Sequence, residues 1–148
     1  VSGHSMEPAF SHGDYLIVDE ISYRFREPER GEVVVFRYPE NPSFRHIKRI
    51  IGLPEETIEI KDGAILITTA NGENIILNES EYIFKETSES AELTLKDGEY
   101  FVLGDNRPVS FDSRRWGALP KENIIGRFFL KVLPFSDFKK SELPLYSI

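Results

Sequence analysis

The chain has 148 residues with 25 acidic and 18 basic side chains, and this formal charge of -7 disfavours a general nucleic-acid binder, which needs surplus lysine and arginine. It contains no cysteine, which excludes a disulfide framework, a thiolate nucleophile and a cysteine-ligated zinc site. No apolar run approaches the roughly 20 residues of a membrane-spanning helix.

Short runs of β-branched and aromatic residues predict six strands, at 15–18, 32–38, 47–51, 57–60, 64–67 and 100–103. Turn sequences separate them and place a glycine where a hairpin or bend needs a positive φ, at Gly13, Gly31, Gly63, Gly72 and Gly98. Helix is predicted only in short pieces, around 120–123 and 79–88. The pattern predicts a mainly β fold built on an antiparallel sheet.

The chain is predicted to be one domain, residues 1–148, in two parts. All candidate catalytic residues fall in 1–60 and 96–148, which we expect to form the core. Residues 61–95 carry no such motif and are predicted to form a small β-rich lobe, a ribbon with its turn at Asn71-Gly72. Its alternating apolar residues need only a face to pack against, which favours a structural role.

The first candidate for chemistry is Ser5, in the sequence Ser-Met-Glu-Pro. The proline at position 8 indicates a rigid loop before the first strand. A serine hydroxyl is a weak nucleophile unless a neighbouring base activates it, and neutral lysine is one such base. By itself, a loop serine is more often a turn or cap residue.

Lys48 lies in an apolar run between Ile47 and Arg49. Because successive strand residues point to opposite faces, Lys48 and Arg49 are expected to point in opposite directions. An apolar setting lowers the pKa of a lysine and suits it to act as a base. The competing interpretation is an edge-strand lysine that discourages aggregation.

The segment 104–117 concentrates polar side chains between a strand and Trp116-Gly117, which indicates a fixed hydrogen-bond network. Asp105 with Arg107 and Asp112 with Arg114 have the spacing of local ion pairs. Ser110 is placed to offer a hydroxyl to Lys48. The alternative is a well-satisfied turn without catalytic function.

These segments together resemble the type I signal peptidases, membrane-bound Ser/Lys endopeptidases that cut signal peptides from exported preproteins. The resemblance spans nearly the whole chain, is weakest from 61 to 95, and is carried by residues 1–8 (VSGHSMEP), 30–36 (RGEVVVF), 48–54 (KRIIGLP), 104–107 (GDNR), Ser110, 112–114 (DSR), Gly117, 126–129 (GRFF) and 133–135 (LPF).

The resemblance implies that Ser5 is the nucleophile and Lys48 the general base, that Ser110 bonds to the lysine, and that Asp112 and Arg114 brace the site. It also implies that the Ser5 N–H stabilises the oxyanion. Some family members add a serine hydroxyl two residues before the nucleophile. Here that position is Gly3, so a backbone amide or Ser2 is expected to substitute.

The resemblance further implies cleavage after small residues in an Ala-x-Ala pattern, with Val1, Met6, Phe10 and Ile47 lining the pocket for the residue before the cut. Because Phe10 is bulkier than the usual leucine, the sequence predicts a strict demand for alanine or glycine there. No metal and no cofactor are expected.

The implied partners are signal peptides and the membrane lipid surface, with no nucleic acid, and the oligomeric state is left open. The implied location is the extracytoplasmic face of the cell membrane, and the chain is expected to be the soluble domain without its transmembrane segment. Phe10, Phe44 and Phe111 are expected to meet the membrane.

Two other functions stay open. A LexA-type self-cleaving Ser/Lys protein shares the fold and a Ser-Met-x-Pro element, but it lacks the Gly-Asp-Asn-Arg segment. A catalytically silent β-rich binding module is the alternative from a different class.

Overall fold

The computed structural model describes residues 1–80, 87 and 89–132, and the backbone of 138–140. In this part of the chain the strands are β1 (Tyr15–Asp19), β2 (Val33–Tyr38), β3 (Asn41–Gly52), β4 (Thr57–Lys61), β5 (Ala64–Thr68), β6 (Asn74–Ile76), β7 (Ala91–Thr94), β8 (Glu99–Leu103), β9 (Leu119–Pro120), β10 (Ile124–Val132) and β11 (Phe138–Lys140). The helix α1 (Ser113–Trp116) has one turn, and 3-10 turns lie at Ser22–Arg24, Arg107–Val109 and Lys121–Asn123.

The strands form two sheets whose pairs are all antiparallel. The larger sheet has the order β1-β10-β2-β3-β8-β9, with β11 also paired to β10, and the smaller has the order β6-β5-β4-β7. The prediction of a mainly antiparallel β fold is therefore confirmed. All six predicted strands are present, although the one predicted at 47–51 begins earlier, at Asn41.

The smaller sheet packs on the larger one through a shared apolar core. Ile51 and Leu103 of the larger sheet lie in one buried cluster with Ile58, Ile60 and other residues of the smaller sheet. Gly52 lies at this junction, where an added Cβ would come within 2.6 Å of Ile58 and 2.9 Å of Phe101. The smaller sheet includes β4 and so begins at Thr57, four residues before the boundary predicted at 61.

The turn glycines and one of the two predicted helical pieces follow the predictions. The five glycines expected to have positive φ have values from 69 to 90°. The piece predicted at 120–123 is the 3-10 turn Lys121–Asn123. Of the segment 79–88, residues 81–86 and 88 lie outside the described part of the chain, and the backbone of Thr87 makes a bridge to Gly63.

No helix among the described residues is long and apolar enough to cross a membrane.

Three parts of the fold meet at one place: the loop that precedes β1, the middle of β3, and the loop between β8 and α1. β8 pairs with β3 only from Arg49 onward, at Leu103. The loop after β8 therefore starts beside Lys48, and the segment before β1 lies against both.

Candidate active site

Ser5 and Lys48, 43 residues apart in sequence, lie in direct contact. Lys48 Nζ is 2.8 Å from Ser5 Oγ, at hydrogen-bonding distance. Ser5 is on the loop before β1, and Lys48 is in β3, opposite Val34 of β2. Lys48 is 5% exposed, whereas Ser5 is half-buried.

Burial changes the chemistry of this lysine. It lowers the pKa of Lys48 from 10.5 to about 8, and the nearby carboxylates of Asp112 and Asp105 oppose the change. The desolvation of the ammonium outweighs the attraction of the two acids. Near neutral pH, Lys48 therefore has a far larger neutral fraction than a lysine in water.

The next residue along the strand, Arg49, has a different partner. Its Nε and Nη2 donate to the two carboxylate oxygens of Asp105 at 2.9 and 2.8 Å, and its Nη1 donates to the carbonyl of Gly31 at 2.9 Å. Burial raises the pKa of the Asp105 carboxyl, and the Arg49 guanidinium opposes that rise. This pair ties the loop after β8 to β3 beside Lys48.

The two local ion pairs predicted in this loop have different outcomes. Asp112 and Arg114 are paired, with 2.9 Å between Arg114 Nε and Asp112 Oδ1. Asp105 and Arg107 are not, because Asp105 pairs with Arg49 while Arg107 pairs with Glu79. The sequence had indicated only that Arg49 points in the opposite direction to Lys48, and not that Asp105 is its partner.

Asp112 organises the end of the loop from a fully buried position. Its carboxylate accepts hydrogen bonds from the backbone N–H groups of Gly104 and Arg114 and from the Arg114 guanidinium. The bond to Arg114 N–H caps the one-turn helix α1. The Arg114 guanidinium also donates to the carbonyl of Arg107 at 2.8 Å. Both residues thus hold the loop backbone rather than contacting Ser5.

The same loop also holds the segment that carries Ser5. Asn106 N–H donates to the carbonyl of Ser5 at 2.8 Å, and the Asn106 side-chain amide donates to the carbonyl of His4 at 3.0 Å. Asp105 N–H approaches Met6 Sδ at 3.4 Å. These contacts fix the backbone on both sides of Ser5.

Ser110 departs from its expected contact. Its hydroxyl is buried and has no hydrogen-bond partner among the described residues, so the predicted bond to Lys48 is not formed. The hydroxyl packs against Gly104, where an added Cβ would lie 2.1 Å from Ser110 Oγ and 2.7 Å from the Ser5 carbonyl oxygen. Lys48 Nζ bonds to Ser5 instead.

The backbone amides near Ser5 differ in their availability. Within the described part of the chain, Ser5 N–H makes no hydrogen bond, so it is available as a donor to substrate. Gly3 N–H, in contrast, donates to His12 Nδ1 at 3.0 Å. The Gly3 amide is therefore already engaged, while Ser2 lies on the wall of the adjacent cleft.

A cleft of about 700 Å³ opens beside the pair. Of the predicted substrate-contacting residues, Val1 and Ile47 line it. Met6 and Phe10 do not, because they are 1% and 4% exposed and pack in a core cluster with Val33 and Phe128. The predicted substrate contact of Met6 and Phe10, and the predicted membrane contact of Phe10, are therefore not supported by their positions.

Other aromatic residues form part of the cleft wall. Phe44 and Phe111 are 59% and 47% exposed and both line it. His46, which was not among the predicted site residues, also lines it. Its ring stacks on Tyr38 at 5.0 Å between centroids, and burial, followed by the charge of Lys48, lowers the pKa of His46.

In the part of the chain that the structure describes, no group of three or more His, Cys, Asp or Glu residues is placed to hold a metal ion.

Comparison with known proteins gives consistent matches. The family model described as signal peptidase, peptidase S26, matches residues 1–133. A Synechocystis protein named probable signal peptidase I-2 is 38% identical over 139 residues, which cover 90% of this chain and 62% of that protein. Signal peptidase I of Pseudomonas aeruginosa is 31% identical over 191 residues, covering 97% of this chain and 66% of the relative. The chain thus spans just under two thirds of the length of these relatives.

A solved structure is also similar. The crystal structure of a signal peptidase I from Enterococcus faecalis matches with a TM-score of 0.55 and 32% sequence identity. The match covers 69% of this chain and 97% of that one.

Proposed function

Because the chain belongs to the signal peptidase family, peptidase S26, we propose that it is a serine endopeptidase that removes signal peptides from exported preproteins. Ser5 is its nucleophile and Lys48 its general base. The proposal depends above all on the 2.8 Å contact between Lys48 Nζ and Ser5 Oγ. A buried lysine whose pKa is about 8 supplies the neutral amine that a general base needs.

The reaction proceeds through an acyl-enzyme. Neutral Lys48 takes the proton of the Ser5 hydroxyl as Oγ forms a bond to the scissile carbonyl carbon. The resulting ammonium then gives that proton to the leaving amine as the peptide C–N bond breaks. Water, deprotonated by Lys48, attacks the ester, and the proton returns to Ser5 Oγ as the carboxylic product leaves.

The Ser5 N–H stabilises the oxyanion in both steps. It makes no other hydrogen bond among the described residues and lies on the attacking residue itself. A donor of this kind commonly contributes about 3 kcal/mol of transition-state stabilisation. Gly3 N–H does not serve as the second donor while His12 holds it, which leaves the hydroxyl of Ser2 as the candidate.

The preferred substrate has small residues in an Ala-x-Ala pattern before the cut. Val1 and Ile47 line the cleft beside Ser5, and Leu16 and Val35 add to its apolar wall. Where these four side chains line it, the cleft favours aliphatic side chains over polar ones, because it offers no hydrogen-bond partner there. The protein acts at the membrane on its extracytoplasmic face, where Phe44 and Phe111, exposed at the cleft, contact lipid.

The test is cleavage of a synthetic signal peptide with an Ala-x-Ala site, in detergent and across pH. Ser5→Ala and Lys48→Ala are expected to abolish cutting after the second alanine. Ser11→Ala, on the same loop, and Lys61→Ala, at the exposed end of β4, serve as matched controls and retain activity. Retention of activity in Ser5→Ala would refute the proposed nucleophile.

Two outcomes favour the other functions. If the protein cuts only its own chain and no peptide in trans, it is a self-cleaving protein of the LexA type. If it cuts nothing and Ser5 resists a serine acylator such as a penem, it is a binding module.

A further inference from the structure

Arg107 links the smaller-sheet region to the active-site loop. It is the largest of the fully buried side chains among the described residues. Glu79 accepts hydrogen bonds from both Nη atoms, at 2.9 Å for Nη1, and the Thr87 hydroxyl accepts from Nη1 at 2.7 Å. Glu79 and Thr87 are themselves buried, at 8% and 1% exposure. Because an unpaired buried charge is costly, the Glu79 carboxylate keeps this guanidinium in place.

The other side of Arg107 faces the active site. Its Nε donates to the carbonyl of Gly104 at 2.8 Å, while Asp112 holds the N–H of the same residue. Gly104 packs directly against the Ser5 carbonyl and the Ser110 hydroxyl. Two residues on, Asn106 N–H donates to the Ser5 carbonyl. The path from Glu79 to the nucleophile segment is thus an unbroken set of hydrogen bonds and close contacts.

We propose that Glu79 is a positioning residue for Ser5, which it holds in register with Lys48 through Arg107, Gly104 and Asn106. The inference rests on the proposed function. It gives the region 61–95 a part in catalysis, whereas its sequence indicated only a structural role.

The reason is geometric. Ser5 has no regular secondary structure of its own and lies on a loop, so its position depends on the segment it touches. That segment is held at Gly104 by two side chains of its own loop, Asp112 and Arg107, and Arg107 is in turn held by Glu79 of the region 61–95. A displacement of about 1 Å between nucleophile and base can reduce turnover about a hundredfold. Loss of the contact between Glu79 and Arg107 is therefore expected to displace Ser5, although Glu79 does not contact Ser5.

The experiment compares Glu79→Gln, Glu79→Asp and Glu89→Gln in the intact chain. Glu89 makes an exposed ion pair with Arg115 at 2.9 Å, so its variant removes a carboxylate from the same region without affecting Arg107. For each folded variant, we would measure kcat and KM for the peptide substrate and the hydrogen exchange of the Asn106 amide, which reports the bond to Ser5 without needing activity.

For Glu79→Gln we expect kcat to fall about tenfold or more with KM within about twofold, and Asn106 exchange to accelerate relative to the strand amides. Glu79→Asp keeps the charge and is expected to have a kcat and an Asn106 exchange rate between those of Glu79→Gln and the parent. It also allows the test to be made if the Gln variant fails to fold. Glu89→Gln is expected to match the parent chain.

The inference is overturned if a folded Glu79 variant retains the parent kcat and Asn106 exchange. It is also overturned if exchange accelerates evenly across both sheets while kcat per folded molecule is unchanged, which would mark a purely structural ion pair. If the parent chain cleaves no peptide, the proposed function fails, whereas the exchange of Asn106 still decides whether Glu79 positions the Ser5 segment.

Discussion

Arg49 and Asp105, 56 residues apart in sequence, form a buried ion pair with two parallel hydrogen bonds of 2.9 and 2.8 Å. The pair joins the strand that carries Lys48 to the loop that holds Ser5. It therefore connects the chain segments that position Lys48 and Ser5, although neither Arg49 nor Asp105 belongs to the proposed catalytic pair.

Asp105→Asn is expected to destabilise the protein by about 3–5 kcal/mol, because the Arg49 guanidinium loses its carboxylate while it stays buried. Urea unfolding at neutral pH measures the change. Asp97→Asn, at an exposed turn position, is the control and is expected to stay within about 0.5 kcal/mol of the parent. A loss below about 1 kcal/mol in Asp105→Asn would show that the pair contributes little.

The pH dependence of kcat/KM is expected to rise with an apparent pKa of about 8, because only neutral Lys48 accepts the Ser5 proton and burial lowers its pKa to that value. His46 also lines the cleft, but burial moves its pKa below 6.5, away from this range. His46→Asn is therefore expected to retain the rise near 8. A rise centred near 10.5 would contradict the burial of Lys48.

Lys48→Met is expected to stabilise the fold at pH 7 by about 3 kcal/mol, since each unit of lowered pKa corresponds to about 1.4 kcal/mol. Below pH 8 the lysine is protonated in both folded and unfolded chains, so the folded chain bears the full desolvation cost. Between pH 8 and 10.5 the folded chain loses that proton first and the parent gains stability. The advantage of the variant is therefore expected to shrink over this range.

Denaturant unfolding of parent and Lys48→Met at pH 7 and pH 10.5 checks this expectation. Lys61→Met, at an exposed position, controls for the added apolar side chain. An advantage of equal size at both pH values would mean that packing, and not the lysine charge, accounts for it.

Gly104→Ala is expected to reduce kcat about a hundredfold, because its Cβ would meet Ser110 Oγ at 2.1 Å and the Ser5 carbonyl at 2.7 Å. A backbone carbonyl cannot rotate away as a side chain does, so the Ser5 segment must shift. Gly72→Ala is a suitable control, as Gly72 has a positive φ of 84° but nothing within 4 Å of an added Cβ. It is expected to lose stability while keeping kcat per folded molecule.

Ile47→Ala and Phe10→Leu are expected to act on different properties. Ile47 lines the cleft, so its truncation is expected to admit residues larger than alanine before the cut. Phe10 packs edge-on against Phe128 at 4.7 Å in the core, so Phe10→Leu is expected to cost about 1–2 kcal/mol of stability and leave the preference unchanged. Cleavage of peptides with alanine, valine or leucine at that position distinguishes the two.

A change of preference in Phe10→Leu would restore the sequence expectation that Phe10 sets a strict demand for small residues.

Local features of the amino-acid sequence determined the strands, the turns and the candidate pair. Runs of β-branched residues predicted the second half of β3, and positive-φ glycines marked turns, Gly63 between β4 and β5 and Gly98 before β8. Ser5 and Lys48 were identified because each stands in a short motif that can be read without knowing the fold. Asp112 and Arg114 were predicted as a pair because two residues of spacing suffice to close it.

Only the tertiary structure decided which distant groups meet. Asp105 could not be assigned to Arg49, nor Arg107 to Glu79, because such pairs depend on strand register and on the direction in which each loop side chain leaves the backbone. For the same reason, the sequence could not show that Phe10 lies in the core and not in the cleft. A sequence motif specifies which chemical groups are available, whereas the packing of two sheets determines the distances between them.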